Sequence, residues 1–152
     1  MRKRVLKNNS SGFTLPELLM ATVLMAAIFT GALLTILKCM ELSDIARNSS
    51  IAVLSAKSKM AEIENTNYTQ IYTTYNNVSF NITGLTNAKG VTYVNNSTPN
   101  ILAITVVICW KQPNGRVFGE DQNFNGAVNA GEDKNANGQL DSIVQLRTVK
   151  YG

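Results

Sequence analysis

The chain has 152 residues, a length suited to one domain, and 45% of them are apolar. It contains no histidine, which excludes histidine general bases, Ser-His-Asp and Cys-His nucleophiles, and zinc or non-haem iron sites that need imidazole. The formal net charge of +4 comes from an N-terminal cluster of four basic residues, Arg2, Lys3, Arg4 and Lys7. Because the rest of the chain is electrically balanced, the basic excess does not indicate nucleic acid as a partner.

A long apolar segment follows this basic start. Phe13 to Leu37 contains a single charged residue, Glu17, and a helix of this length covers roughly 37 Å, more than a hydrocarbon core of about 30 Å. The positive-inside rule places residues 1–12 in the cytoplasm and the C-terminal part across the membrane. The small residues that mark cleavage of an ordinary secretory signal do not follow Leu37. We therefore expect residues 13–37 to form a transmembrane helix.

Glu17 is the unusual residue of this segment, because a carboxylate in hydrocarbon is costly and by default functional. The segment contains no Lys or Arg to pair with it. A cut before Phe13 would create an α-amino group four residues away, which could pair with Glu17 within one subunit or between neighbours. The alternative is a Glu17 that is protonated near the membrane interface or favoured by the helix N-terminus.

A short basic leader that ends in Gly12, followed by the sequence FTLPEL (residues 13–18) and an apolar helix, resembles the N-terminus of type IV prepilins and pseudopilins. The resemblance implies that a prepilin peptidase and N-methyltransferase cleaves the chain between Gly12 and Phe13 and methylates the Phe13 amine. It also implies that Glu17 pairs with the N-terminal amine of a neighbouring subunit, and that the partners are other pilins or pseudopilins and an inner-membrane assembly platform.

The same resemblance implies a location and a type of subunit. The protein would be a single-pass protein of the bacterial inner membrane, with a periplasmic C-terminus, and would later join a periplasmic or cell-surface fibre. Major pilins often carry a proline midway along the apolar helix, and its absence here favours a minor subunit. The prolines of this chain are Pro16, Pro99 and Pro113.

Residues 38–65 have the pattern of an amphipathic helix. Apolar residues recur mostly at spacings of three and four, with charges between them and no Gly or Pro. We therefore predict one continuous helix from about Thr14 to Asn65, whose second part lays an apolar stripe on a soluble head. The stripe consists of Leu42, Ile45, Val53, Ala56, Met60 and Ile63.

Residues 66–152 are predicted to form a periplasmic, β-rich head. Its β-branched runs are separated by Gly, Asn and Pro, which indicates a small antiparallel sheet packed on the helix, an α+β fold. The resemblance implies that this fold is pilin-like. We expect Ile101–Cys109 to be the central strand, buried on both faces. Within the family, residues 56–63 and the pairing of this strand with residues 144–149 look most like minor pilins of the pilus-modification or minor-pseudopilin type. The predicted strands are Val78–Ile82, Val91–Val94, Ile101–Trp110 and Ile143–Tyr151.

An acidic segment, residues 120–141, contains a match to the EF-hand loop. That pattern places carboxylate or amide oxygens at positions 1, 3 and 5, Gly at position 6 and Glu at position 12. Gly126 permits the left-handed backbone of such a turn, and Ala127 would offer its carbonyl oxygen. The matching residues are Asp121, Asn123, Asn125, Gly126 and Glu132.

A second copy of the pattern begins twelve residues later, without the closing glutamate, because its twelfth position is Val144. The neighbouring segments are predicted strands, so we expect EF-hand-like Ca²⁺ loops in a β-connection and no EF-hand domain. The number of ions, one or two, stays open, and the alternative is a set of Asn-Gly-Asp turns without metal. The residues of the second copy are Asp133, Asn135, Asn137, Gly138 and Asp141, with Gln139 offering a carbonyl oxygen.

The charge of the segment favours a cation with a structural role. Residues 120–141 carry a formal charge of −4, and without a bound cation their carboxylates would repel one another. Loops of the extracellular type bind calcium weakly, at roughly 0.1–1 mM, and a metal held only by the folded state stabilises that state.

The two cysteines are expected to be free thiols. Cys39 lies where the helix leaves the membrane and Cys109 lies in the central strand, whereas a disulfide needs Cα atoms within about 7 Å. A periplasmic location nevertheless permits a disulfide.

Together these features predict a structural minor pilin or pseudopilin of a type IV pilus or a type II secretion-like fibre, not an enzyme. The alternative is an adhesin or pilus-tip module whose head binds a ligand. Tyr68, Tyr72 and Tyr75 could serve such a surface, although aromatics at this position more often pack the junction of helix and sheet.

Overall fold

The computed structural model describes residues 12–152, which form an α+β fold. The described residues form two compact units, one that ends at Leu42 and one that spans Ser43–Gly152. The predicted leader lies outside the described residues except for Gly12. In chain order the elements are α1 (Leu15–Glu64), α2 (Tyr68–Tyr75), β1 (Val78–Asn81), β2 (Ala88–Thr98), β3 (Ile101–Lys111), β4 (Val117–Phe118) and β5 (Val144–Tyr151).

Helix α1 confirms the predicted continuous helix to within one residue at each end. Pro16 lies in its first turn, where the missing N–H has no intrahelical partner. The first backbone bond joins Leu18 N–H to the carbonyl of Thr14 at 3.1 Å.

In the first unit, α1 is apolar and exposed around its whole circumference. No side chain from Leu15 to Met40 is buried, and large apolar residues such as Leu24 are about three-fifths exposed (62%). By length and composition the helix can cross a membrane.

The second unit contains a five-stranded antiparallel sheet with β3 at its centre. The strand order is β1-β2-β3-β4, and β5 also pairs with β3, on the side away from β2. Val107 of β3, for example, lies opposite Val91 of β2 and Gln145 of β5. The predicted central strand and its pairing with residues 144–149 are therefore confirmed.

Strand β3 is buried on both faces from Ile104 to Trp110, while Ile101 and Ala103 are only half-buried. One face of β3 packs with α1 in the main core, and the buried residues of α1 recur at helical spacing. In this core Trp110 stacks on Phe118, with 5.0 Å between the ring centroids. The residues that α1 buries are Ala52, Ala56, Met60 and Ile63.

Other strand bounds differ from the prediction. Strand β2 begins three residues before Val91 and ends four residues after Val94, because its backbone pairing with β3 continues through polar residues that hydrophobic patterning does not detect. Strand β4 was not predicted, since a strand of two residues is too short to show an alternating hydrophobic pattern. Strand β1 ends one residue before Ile82, and β5 begins one residue after Ile143.

Helix α2 was also not predicted, because its Tyr- and Thr-rich sequence resembles a strand. The side chain of Asn67 caps it by accepting a hydrogen bond from the N–H of Thr69 at 3.3 Å. Its three tyrosines do not share one exposed surface. Tyr75 is buried and bonds to Glu62, whereas Tyr72 is exposed and Tyr68 is half-buried.

Candidate functional site

The first predicted metal loop lies between β4 and β5, and its side-chain oxygens hold its own backbone. Asp121 accepts hydrogen bonds from the N–H groups of Asn125 (3.2 Å) and Gly126 (2.8 Å). Asn123 accepts a bond from Asn125 N–H (3.0 Å), and Asn125 accepts one from Ala127 N–H (2.7 Å). These five predicted residues therefore gather around one tight turn, with the Asp121 side chain fully buried.

Glu132 closes this first loop. Its carboxylate accepts hydrogen bonds from the N–H of Gln122 (3.0 Å), the N–H of Asn129 (3.1 Å) and the side-chain amide of Asn129 (3.0 Å). Burial alone would raise the pKa of Glu132, but these bonds to its charged form outweigh burial and lower the pKa below its ordinary value. The residue is therefore held as a carboxylate, the form that binds a cation.

The second loop repeats the bonds of the first. Asp133 accepts hydrogen bonds from the N–H groups of Asn137 (3.1 Å) and Gly138 (2.7 Å). Asn135 accepts a bond from Asn137 N–H (3.1 Å), and Asn137 accepts one from Gln139 N–H (2.7 Å). The predicted second copy is thus a copy in conformation as well as in sequence.

The backbone dihedrals repeat too. Phe124 and Gly126 have φ of 58° and 75°, and Ala136 and Gly138, twelve residues on, have φ of 56° and 75°. The left-handed region suits glycine and is uncommon for other residues. The left-handed backbone expected at Gly126 is confirmed.

Glu120 is a residue of this site that sequence reasoning missed. Its carboxylate accepts hydrogen bonds from the N–H groups of Lys134 (3.2 Å) and Asp141 (3.0 Å), the second and ninth positions of the second loop. Glu132 accepts bonds from the same two positions of the first loop. Glu120 therefore supplies to the second loop the closing carboxylate that its twelfth residue, Val144, lacks. The repeated tripeptide Gly-Glu-Asp at 119–121 and 131–133 is the signal that identifies it.

Each loop contributes two predicted carboxylate ligands, and its other predicted ligands are amide or carbonyl oxygens. In the second loop, Asp141 accepts hydrogen bonds from the amide nitrogens of Asn135 (2.7 Å) and Asn137 (2.9 Å). Among residues 12–152, no three His, Cys, Asp or Glu side chains form a metal-binding group. The four carboxylates are Asp121, Glu132, Asp133 and Asp141.

The loops cover the second face of the sheet. Leu140 is completely buried, and its N–H donates to the hydroxyl of Tyr93 at 2.8 Å. Gly119 lies so close to Cys109 that a Cβ there would be 2.3 Å from the sulfur. The loops therefore fit this face closely. The apolar cluster beneath them consists of Val91, Tyr93, Val107, Cys109 and Leu140.

Both cysteines are free thiols, with Cys39 exposed and Cys109 buried. Burial raises the pKa of the Cys109 thiol, so it is protonated and poorly reactive at neutral pH. Cys109 is 1% exposed and its sulfur lies 3.9 Å from the carbonyl oxygen of Asp141, so a reagent reaches it only if the loop segment moves.

The predicted processing and assembly residues lie at the start of α1. Gly12 and Phe13 precede the helix, and Phe13 is 81% exposed, so the bond between them lies in accessible, non-helical backbone. Glu17 is in the first helical turn. The hydroxyls of Thr22, Thr30 and Thr35 donate to carbonyls of the preceding turn, so the apolar segment satisfies these polar groups internally.

Comparisons of this chain with protein-family models, curated proteins and solved structures find no match.

Proposed function

We propose that this chain is a structural subunit, most like a minor pilin or pseudopilin, of a type IV pilus or a type II secretion-like fibre. The observation that carries the proposal is the arrangement at the N-terminus. A basic leader, an accessible bond between Gly12 and Phe13, and Glu17 in the first helical turn precede a helix that is apolar on all sides.

The exposed apolar helix needs a surrounding that is not water, because a helix that is apolar all round is stable only in a core or a membrane. Before assembly that surrounding is the bacterial inner membrane, with the leader in the cytoplasm and the head in the periplasm. After assembly it is the helices of neighbouring subunits. The adhesin alternative loses its best candidate surface, because Tyr75 is buried.

In this proposal Glu17 sets the position of each subunit relative to its neighbour in the fibre. Cleavage frees the amine of Phe13, which stays positively charged after methylation, and the Glu17 carboxylate of a neighbouring subunit pairs with it. An unpaired carboxylate in an apolar surrounding is unfavourable, so in this proposal pairing with the neighbour's amine favours the position in which the two subunits meet.

The proposal predicts that Glu17→Gln enters the membrane normally but is absent from isolated fibres. Glutamine keeps the shape of the side chain and loses the charge that pairs with the amine. The measurement is the amount of protein in the membrane and fibre fractions of the producing bacterium. Asp44→Asn, a matched change at an exposed position of α1, should assemble like the unaltered chain, and equal assembly of Glu17→Gln would contradict the proposal.

We further propose that the two loops bind calcium, which stabilises the head. Their side-chain oxygens gather in a turn that each loop repeats, and the segment carries a formal charge of −4. The amide oxygens of Asn123, Asn135 and Asn137 each accept one hydrogen bond and keep a second lone pair, whereas that of Asn125 accepts two. Asp121 and Glu132 supply the carboxylates of the first loop, and Asp133 and Asp141 those of the second. Glu120 and Glu132 also orient the loops through backbone N–H groups.

The calcium proposal predicts that chelation both destabilises the head and exposes Cys109. In the full chain carrying Cys39→Ser, in detergent, EGTA should lower the melting temperature by about 5–10 °C relative to a few millimolar calcium. It should also speed alkylation of the remaining thiol. Asp121→Asn combined with Glu132→Gln should remove both responses, whereas Asp44→Asn should keep them. A melting temperature and an alkylation rate that EGTA leaves unchanged would exclude a structural calcium ion.

A further inference from the structure

We propose that the two loops open and close as one cooperative unit, because the glutamate that closes each loop directly precedes the first residue of the other loop. This inference goes beyond calcium binding and does not depend on it, since it rests on hydrogen bonds that the polypeptide makes with itself.

The two glutamates connect the loops, one through hydrogen bonds across them and the other through the chain. Glu120 directly precedes Asp121, the first residue of the first loop, yet its carboxylate bonds to Lys134 and Asp141 of the second loop. Glu132 is the last residue of the first loop and its carboxylate bonds to Gln122 and Asn129 of that loop, but it also directly precedes Asp133, the first residue of the second loop.

The backbone N–H groups of the same two residues add one further hydrogen bond to each loop. Glu132 N–H donates to the carbonyl of Asn129 at 3.1 Å, and Glu120 N–H donates to the carbonyl of Asp141 at 2.9 Å. Asn129 and Asp141 occupy the same place in their repeats. Each loop is therefore closed by three equivalent contacts, which include both carboxylate oxygens of one glutamate.

Opening one loop consequently disturbs the other. If the second loop opens, Glu120 loses both partners of its carboxylate, although only 9% of the residue is exposed, and a buried carboxylate without partners is unfavourable. Relief requires Glu120 to move into water. Asp121, its direct neighbour, must then move too, and Asp121 holds the turn of the first loop.

Amide hydrogen exchange of the full chain in detergent tests this coupling, with EGTA present so that the result does not depend on calcium. Glu120→Ala removes bonds to the second loop only. If the loops are cooperative, the amide exchange rate should rise about tenfold or more at Asn125 and Gly126 of the first loop, and by a similar factor at Asn137 and Gly138 of the second. Glu132→Ala should give the same pattern.

Independent loops give a different result, which would overturn the proposal: a rise confined to Asn137 and Gly138 in Glu120→Ala, or no rise in either loop. The amide of Val106, in the central strand, reports whether the head remains folded. If Glu120→Ala unfolds it, Glu120→Gln, which keeps one acceptor oxygen, replaces it with the same two outcomes. Asp44→Asn should change none of these amides. Calcium titration is a separate measurement, so a chain that binds no metal would still test the coupling.

Discussion

Tyr93 shows how a single side chain can join the sheet to the loops. Its ring lies in the apolar cluster on the second face of the sheet, and its hydroxyl accepts a hydrogen bond from Leu140 N–H. Burial raises the pKa of Tyr93, as it does for the neighbouring Cys109. Both residues are therefore held in their neutral forms by the folded head.

These raised pKa values predict that the head loses stability in alkali. The folded state keeps both protons at a pH where the unfolded state has lost them, so the free energy of unfolding falls as pH rises above about 8.5 for Cys109 and about 10 for Tyr93. Melting temperatures measured from about pH 8 to 11 at constant calcium check the sign. Tyr93→Phe should start lower, for loss of the bond to Leu140, and fall less steeply; a slope equal to that of the unaltered chain would refute the assignment.

At the scale of elements, the sequence predicts those helices and strands that show a clear hydrophobic pattern. Helix α1 and strand β3 were predicted almost to the residue, because one is an apolar run followed by a mostly regular helical period and the other is an almost unbroken run of apolar, mostly β-branched residues. The ends of β2 and all of α2 were missed because their residues are polar or aromatic and their conformation depends on a neighbour. Asn76, for example, accepts a hydrogen bond from the N–H of Val94 on β2 just after α2 ends.

The loops, too, were predicted in part. The positions of Asp121, Asn125 and Gly126 follow from a local pattern in which each side chain bonds to an N–H a few residues away. The role of Glu120 does not, because its partners lie fourteen and twenty-one residues further along the chain. Local spacing therefore predicts the turns, while only the folded chain reveals how the two repeats are joined.

At the scale of the whole molecule, the described chain consists of an apolar helical unit and a folded α+β unit with different requirements. The first buries no side chain between Leu15 and Met40, and in the proposed function lipid or other helices surround it. The second has its own core on one face of the sheet and the repeated loops on the other. The basic leader belongs to neither in the proposed mature protein, which would begin at Phe13 with equal numbers of basic and acidic side chains.

The most direct test of the account is the mass of the protein isolated from bacterial membranes together with the sequence of its N-terminal peptide. The account predicts a chain that begins at Phe13 and carries one added methyl group on its α-amine. A chain that retains residues 1–12 and begins at Met1, in cells that assemble fibres, would contradict it.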